Sequence, residues 1–177
     1  LSSRNMEADV IYFDNQDQTS ICTPALEGLK RSFGDSSSSF EHQLSIVKHA
    51  IGSGVEDQWV FTSSGAEAVN QVLFSAFLEQ SRKKGKGHFV TSCLENAPTM
   101  QMLKRLEELG CYAKIAPATA SGEVDVAQLA ALISPRTALV SISWVHGLTG
   151  VIQPVEEIAK LCREKQVLLH IEASHAI

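Results

Sequence analysis

Five short apolar runs, each followed by a turn and then a longer stretch with helical period, dominate this chain and restrict its fold more than any other feature. The runs are Trp59-Val60-Phe61, His88-Phe89-Val90, Tyr112 to Ala116, Ala138 to Ile142 and Val167 to Ile171. Between them, apolar residues recur every three or four positions: Ala66, Val69, Leu73, Ala76 and Phe77, then Met100, Leu103, Leu106 and Leu109. Val126, Leu129, Leu132 and Ile133 form a third set, and Val155, Ile158, Leu161 and Cys162 a fourth. Each set gives one apolar helix face. The runs are apolar throughout rather than alternating, as in strands buried on both faces. Strands of that kind interleaved with helices predict an α/β fold, with a mostly parallel sheet flanked by helices on both faces. Gly110 stands just past one helix, and Asp125 is placed to cap the next.

The region before the first repeat reads differently. Val10 to Phe13 suggests a short strand, and Thr23-Pro24 opens a helix with a first-turn proline. Ser36 to Ser39 is a polar loop, and Phe40, Leu44, Val47 and Ile51 stripe a second helix that ends at Gly52 or Gly54. The expected division is an N-terminal arm with its helices over 1–54 and an α/β domain over 55–177. Only six residues follow the core strand ending at Ile171. A wound sheet rarely stops there, so we expect a piece of a longer protein, or one completed by a partner.

Composition narrows the function. The chain has 177 residues, 44% hydrophobic and 20% charged, with net charge −5, which disfavours both disorder and nucleic acid as a partner. The Arg82-Lys83-Lys84 and Lys86 cluster lies among glycines and reads as a solvated loop. No apolar run reaches the roughly 20 residues of a membrane helix. The four cysteines (Cys22, Cys93, Cys111, Cys162) are widely spaced with no metal-ligand pattern, which suits the cytoplasm and predicts no metal site. Cys111 and Cys162 read as core residues. Cys93 is open between a structural role and a reactive thiol.

Ligands of open parallel sheets bind beyond the carboxyl ends of the strands. After Phe61 comes Thr62-Ser63-Ser64-Gly65-Ala66-Glu67, a small-residue turn entering a helix. Its amides suit a phosphate, and Ser64 with Glu67 also reads as a capping box. The turn alone would fit a nucleotide-binding domain, although neither a P-loop nor a G-x-G-x-x-G turn is present. Asn96, just before the Pro98 helix, reads locally as a cap. His146 is the one titratable group in the Trp144 to Gly150 loop. Glu172 ends a buried strand, where a carboxylate needs a partner: a cationic ligand, or a nearby Arg or Lys.

Taken together, these segments resemble the cysteine desulfurases of the class V aminotransferase family, which use pyridoxal 5'-phosphate. Ile11-Tyr12-Phe13-Asp14-Asn15 is similar to the family's Y-L-D-N opening, and Phe61 to Glu67 to its F-T-S-G-x-T-E turn. Gly150 to Pro154 with Ile158-Ala159 resembles G-x-x-x-P…I-A, and His170 to His175 resembles H-V-D-A-T-Q. The resemblance implies the large domain of a fold-type-I transferase, incomplete here. It implies that Gly65 and Ala66 hold the cofactor phosphate, that Asn96 takes the place of a ring-stacking His, that Glu172 pairs with the ring nitrogen, and that His175 reaches the ring hydroxyl. Ala66 replaces a phosphate-binding Thr, Asn96 a His, Gly147 an Asn, and Glu172 an Asp. The Schiff-base Lys and sulfur-accepting Cys of the family would fall beyond Ile177, so no catalytic residue is assigned.

The implied reaction takes sulfur from L-cysteine, leaving alanine and an enzyme persulfide, with a sulfur-acceptor protein as partner and a homodimer as the working form. The substitutions leave two alternatives. One is a catalytically inactive relative acting as scaffold or assembly partner; the other is a pyridoxal-phosphate aminotransferase or C–S lyase.

Overall fold

The computed structural model describes residues 22–34 and 40–176. The chain divides into two units, 1–60 and 61–177. The first holds α1 (Thr23–Gly34) and α2 (Phe40–Ala50). Helix α1 opens at Thr23, with Pro24 in the first turn, where a missing amide proton is not needed. Glu41 in the first turn of α2 and Lys48 and His49 in its last complement the helix dipole. Gly52 then turns the chain at φ +69°, which a side chain would resist. The expected strand at Val10 to Phe13 and the loop at Ser36 to Ser39 lie outside the described residues.

The second unit contains the sheet. In order it has α3 (Gly65–Ala76), a π-helical extension over Phe77–Arg82, β1 (His88–Ser92), α4 (Ala97–Glu108) and β2 (Tyr112–Ala116). Then come α5 (Val126–Leu132), β3 (Thr137–Ser143), α6 (Val155–Glu164) and β4 (Leu168–Glu172). The strands lie in the order β2-β1-β3-β4, all parallel. Four of the five apolar runs are strands. Residues 59–61 form no strand, and Val60 is 68% exposed. An apolar run becomes a strand only where a neighbouring ladder takes its backbone groups, and among the described residues β4 pairs with β3 alone.

Two cores cover the two faces. Val69, Leu73 and Ala76 of α3 pack with Leu103 and Leu106 of α4 over Phe89 and Leu139. On the other side Leu129 of α5 and Ile158 and Cys162 of α6 pack over Val90, Val140 and Ile142. This is the three-layer α/β arrangement expected from the sequence. Asp125 caps α5 as foreseen, its carboxylate accepting the Gln128 amide at 3.0 Å. Gly110, at φ +90°, follows α4. Among the described residues no helix is long and apolar enough to cross a membrane.

The pleat sorts residues two apart onto one face. On the α3/α4 face the apolar residues Phe89 and Leu139 give way, toward the carboxyl ends, to Thr91, Ser141 and Ser143. In register beside these on β4 lie His170 and Glu172. Thr91 donates to the Ser141 carbonyl at 2.9 Å, and the Ser141 hydroxyl lies 2.9 Å from His170 Nδ1. One face of the sheet therefore changes from hydrocarbon to hydrogen-bonding groups where the loops begin.

Candidate active site

Four segments meet at the carboxyl end of this polar face: the start of α3, the loop after β1, the end of β3 and the turn after β4. Ser64 caps α3, accepting the Glu67 amide at 3.2 Å. The Glu67 carboxylate reaches back to the Ser63 amide at 2.7 Å and the Ser63 hydroxyl at 2.6 Å. Those bonds, the hydroxyl first, hold its acid strength above that of an ordinary Glu. The capping reading of this turn is therefore correct. It leaves the amides of Gly65 and Ala66, in the first turn, outside the helix ladder. A Cβ on Gly65 would lie 3.6 Å from Ser174 Oγ, which brings α3 against the turn after β4.

Glu172 occupies the centre and is buried. Its Oε1 accepts the Ser174 amide at 2.8 Å, and its Oε2 accepts Asn96 Nδ2 at 2.7 Å. The Ser143 hydroxyl lies 3.5 Å from Oε2. Burial pushes this carboxyl up, but the Ser174 and Asn96 hydrogen bonds and the charge of His175 outweigh it, so the net shift is downward. Among the described residues no Lys or Arg pairs with it. An anionic group is thus held ionised chiefly by neutral donors, with lone-pair capacity left for a cation.

Asn96 differs from its local expectation. It stands at the N-cap of α4 without making a side-chain cap bond. Its amide spans to Glu172 instead, because a bond to a buried carboxylate is stronger than one to a backbone amide. His175 lies against Gly147: a Cβ there would fall 2.6 Å from the ring's Nε2. The imidazole fills the space that a side chain at 147 would take. His146 lies 2.8 Å from the Thr149 hydroxyl, within its own loop. Cys93 is exposed near the site, whereas Cys111 and Cys162 are buried as predicted.

Three participants were not singled out from the sequence. Glu95 accepts the Ser92 hydroxyl at 2.6 Å, the Ser143 hydroxyl at 2.9 Å and the Ser143 amide at 3.2 Å. Burial pushes its carboxyl up, and neither these bonds nor any other influence reverses that; the charge of Glu172 adds to it. Ser143 and Ser174 are the others. The signal available for Ser143 was its position two residues beyond Ser141 on one strand face.

The profile of the aminotransferase class-V family matches residues 24–177. The chain belongs to that family. Among curated members, a cysteine desulfurase from Bradyrhizobium diazoefficiens is 32% identical over 181 residues, spanning 94% of this chain and 45% of that protein. A cysteine desulfurase from Nostoc sp. is 30% identical over 95% of this chain and 44% of its own length. This chain thus spans a little under half the length of those relatives. Among solved structures, a NifS-like protein superposes with a TM-score of 0.80 at 24% identity, covering 94% of this chain and 50% of that one. That likeness shows a shared fold.

Proposed function

We propose that this chain supplies the cofactor-binding core of a pyridoxal 5'-phosphate-dependent cysteine desulfurase, which takes sulfur from L-cysteine and leaves alanine and an enzyme persulfide. The observation that carries the reading is Glu172: a buried carboxylate, kept ionised by neutral donors, at the carboxyl end of β4. Its family membership and the cysteine desulfurases among its relatives support the same reading.

The donor set fits the group. Gly65 and Ala66 present free first-turn amides to a phosphate, favoured by the dipole of α3. Glu172 would accept a hydrogen bond from the protonated ring nitrogen and so keep the ring cationic. Asn96 and the Ser174 amide fix the direction of that carboxylate, and His175 would reach the ring hydroxyl. Pyridoxal phosphate supplies an electron sink for the carbon adjacent to the amine of the substrate. In this reading residues 1–54 are an arm and 55–177 the cofactor domain. The working form in this reading is a cytoplasmic homodimer that passes sulfur to an acceptor protein; the four sparse cysteines suit a reducing compartment.

Mixing the full-length protein with pyridoxal phosphate should produce the visible absorption band of bound cofactor, and Glu172→Gln should weaken or shift it. Sulfide release from cysteine under reducing conditions then separates desulfuration from transamination. A wild-type protein that binds no cofactor would overturn the reading. It would favour an inactive scaffold, the alternative to which the substitutions at Ala66, Asn96 and Gly147 point.

A further inference from the structure

Glu95 and Asn96 are adjacent in the loop after β1, yet they grip different strands. Glu95 holds the ends of β1 and β3 through Ser92 and Ser143, and Asn96 holds the end of β4 through Glu172. The Ser143 hydroxyl sits between the two carboxylates, 2.9 Å from Glu95 Oε2 and 3.5 Å from Glu172 Oε2. It has one proton to donate, so it serves one of them at a time.

We propose that Glu95 is a positioning residue that sets the basicity of Glu172, using the Ser143 hydroxyl as the connection. When Glu95 is ionised, the Ser143 proton points to Glu95, and Glu172 keeps only the Asn96 and Ser174 donors beside a like charge. When Glu95 is protonated, its own O–H donates to Ser143 Oγ and the Ser143 hydroxyl turns to Glu172. The like charge disappears at the same moment. Both changes make Glu172 a weaker base and a weaker partner for a cation. No proton is created or lost in the exchange: the one taken up by Glu95 comes from solvent, and the Ser143 proton only rotates.

The titratable groups facing the pair are His170 on β4, whose Nδ1 lies beside the Ser141 hydroxyl, and His175 in the following turn. No Lys or Arg contributes among the described residues. Burial and the charge of Glu172 both push the Glu95 carboxyl up, which places its proton uptake nearer neutrality than that of an exposed Glu. The consequence for pyridoxal phosphate rests on the function proposed above; the coupling between the carboxylates does not.

The test is a carboxyl-carbon NMR titration of the full chain without cofactor, comparing wild type with Glu172→Gln. Glu95 takes up its proton at higher pH than Glu172, so the coupling is read on Glu95. Without the like charge at 172, Glu95 is expected to titrate about one pH unit lower, a tenfold change in its ionisation constant. An unchanged Glu95 titration would overturn the coupling. Should Glu172→Gln fail to fold, Ser143→Ala reads the hydroxyl from its other side: the Glu95 titration rises with the lost donor, and an unmoved Glu95 refutes the link. In a second arm, pyridoxal phosphate affinity at neutral pH is expected to fall several-fold in Glu95→Gln, with Glu95 ionisation no longer shaping its pH profile. A shifted Glu95 titration alongside a wild type that binds no pyridoxal phosphate would uphold the coupling and overturn the cofactor reading alone.

Discussion

Replacing Gly147 by Ala puts a methyl group where the His175 ring now lies. The added carbon would sit 2.6 Å from Nε2, 2.8 Å from Cδ2 and 3.1 Å from Cε1, against ordinary contact from about 3.4 Å outward. The ring is the far end of a side chain, so it swings aside, losing its packing and its place near Glu172. Overpacking of this kind costs about 1–3 kcal/mol. The backbone raises no objection, since Gly147 is not among the positive-φ glycines. At such a site Ala gains about 0.4–1 kcal/mol by narrowing the unfolded ensemble. Gly147→Ala alone should therefore destabilise by about 1–2 kcal/mol. In a His175→Ala background the obstacle is gone, and the same change should be neutral or stabilising. A double-mutant cycle in urea, with m held constant, should return a coupling of about 1.5–3 kcal/mol. Equal effects of Gly147→Ala in both backgrounds would show that the ring does not occupy that space.

Asn96→Ala removes the 2.7 Å bond to Glu172, a charge-assisted hydrogen bond of about 1.5–3 kcal/mol, so the protein should be destabilised by about that amount at neutral pH; urea denaturation measures it, and an unchanged midpoint refutes the role. The two central carboxylates should bend the stability–pH curve in opposite senses. Glu172, depressed on folding, contributes stability above the ordinary value near 4.5 that is lost as pH falls through its lower folded value. Glu95, raised on folding, contributes stability below that value which is lost as pH climbs through its higher one. Denaturation from acid to neutral pH should show Glu172→Gln removing the first slope and Glu95→Gln the second. Asp125→Ala should cost about 1 kcal/mol through the lost cap, read as a lower urea midpoint. Cys22 and Cys93 should react with a thiol reagent in the native protein, whereas Cys111 and Cys162, the latter pushed up to about 11 by burial, should wait for unfolding.

The sheet was legible because its strands are apolar on both faces and its helices keep a clean period. Four of the five apolar runs became strands for that reason. Trp59 to Phe61 has the same composition, but composition cannot report whether a ladder is available, and pairing decides strand formation. The Ser64–Glu67 cap could be read locally because its bonds span only three or four residues. Asn96 could not, since its partner lies 76 positions away and competes successfully with the nearby backbone. Glu95 was missed for a related reason: a Glu in a polar loop looks solvated until a strand end 48 residues downstream closes over it.

Because neighbouring residues of β4 face opposite ways, Glu172 reaches the loops only when Leu168 to Glu172 lie opposite Leu139 to Ser143. A slip of a single position would turn the carboxylate toward the oily layer beneath α5 and α6 and offer Ile171 in its stead. Misaligned molecules would thus lose their chemistry and expose their error together, as an ionisable group stranded in hydrocarbon. Correct register and the presentation of this carboxylate to the loops are one event in this sheet.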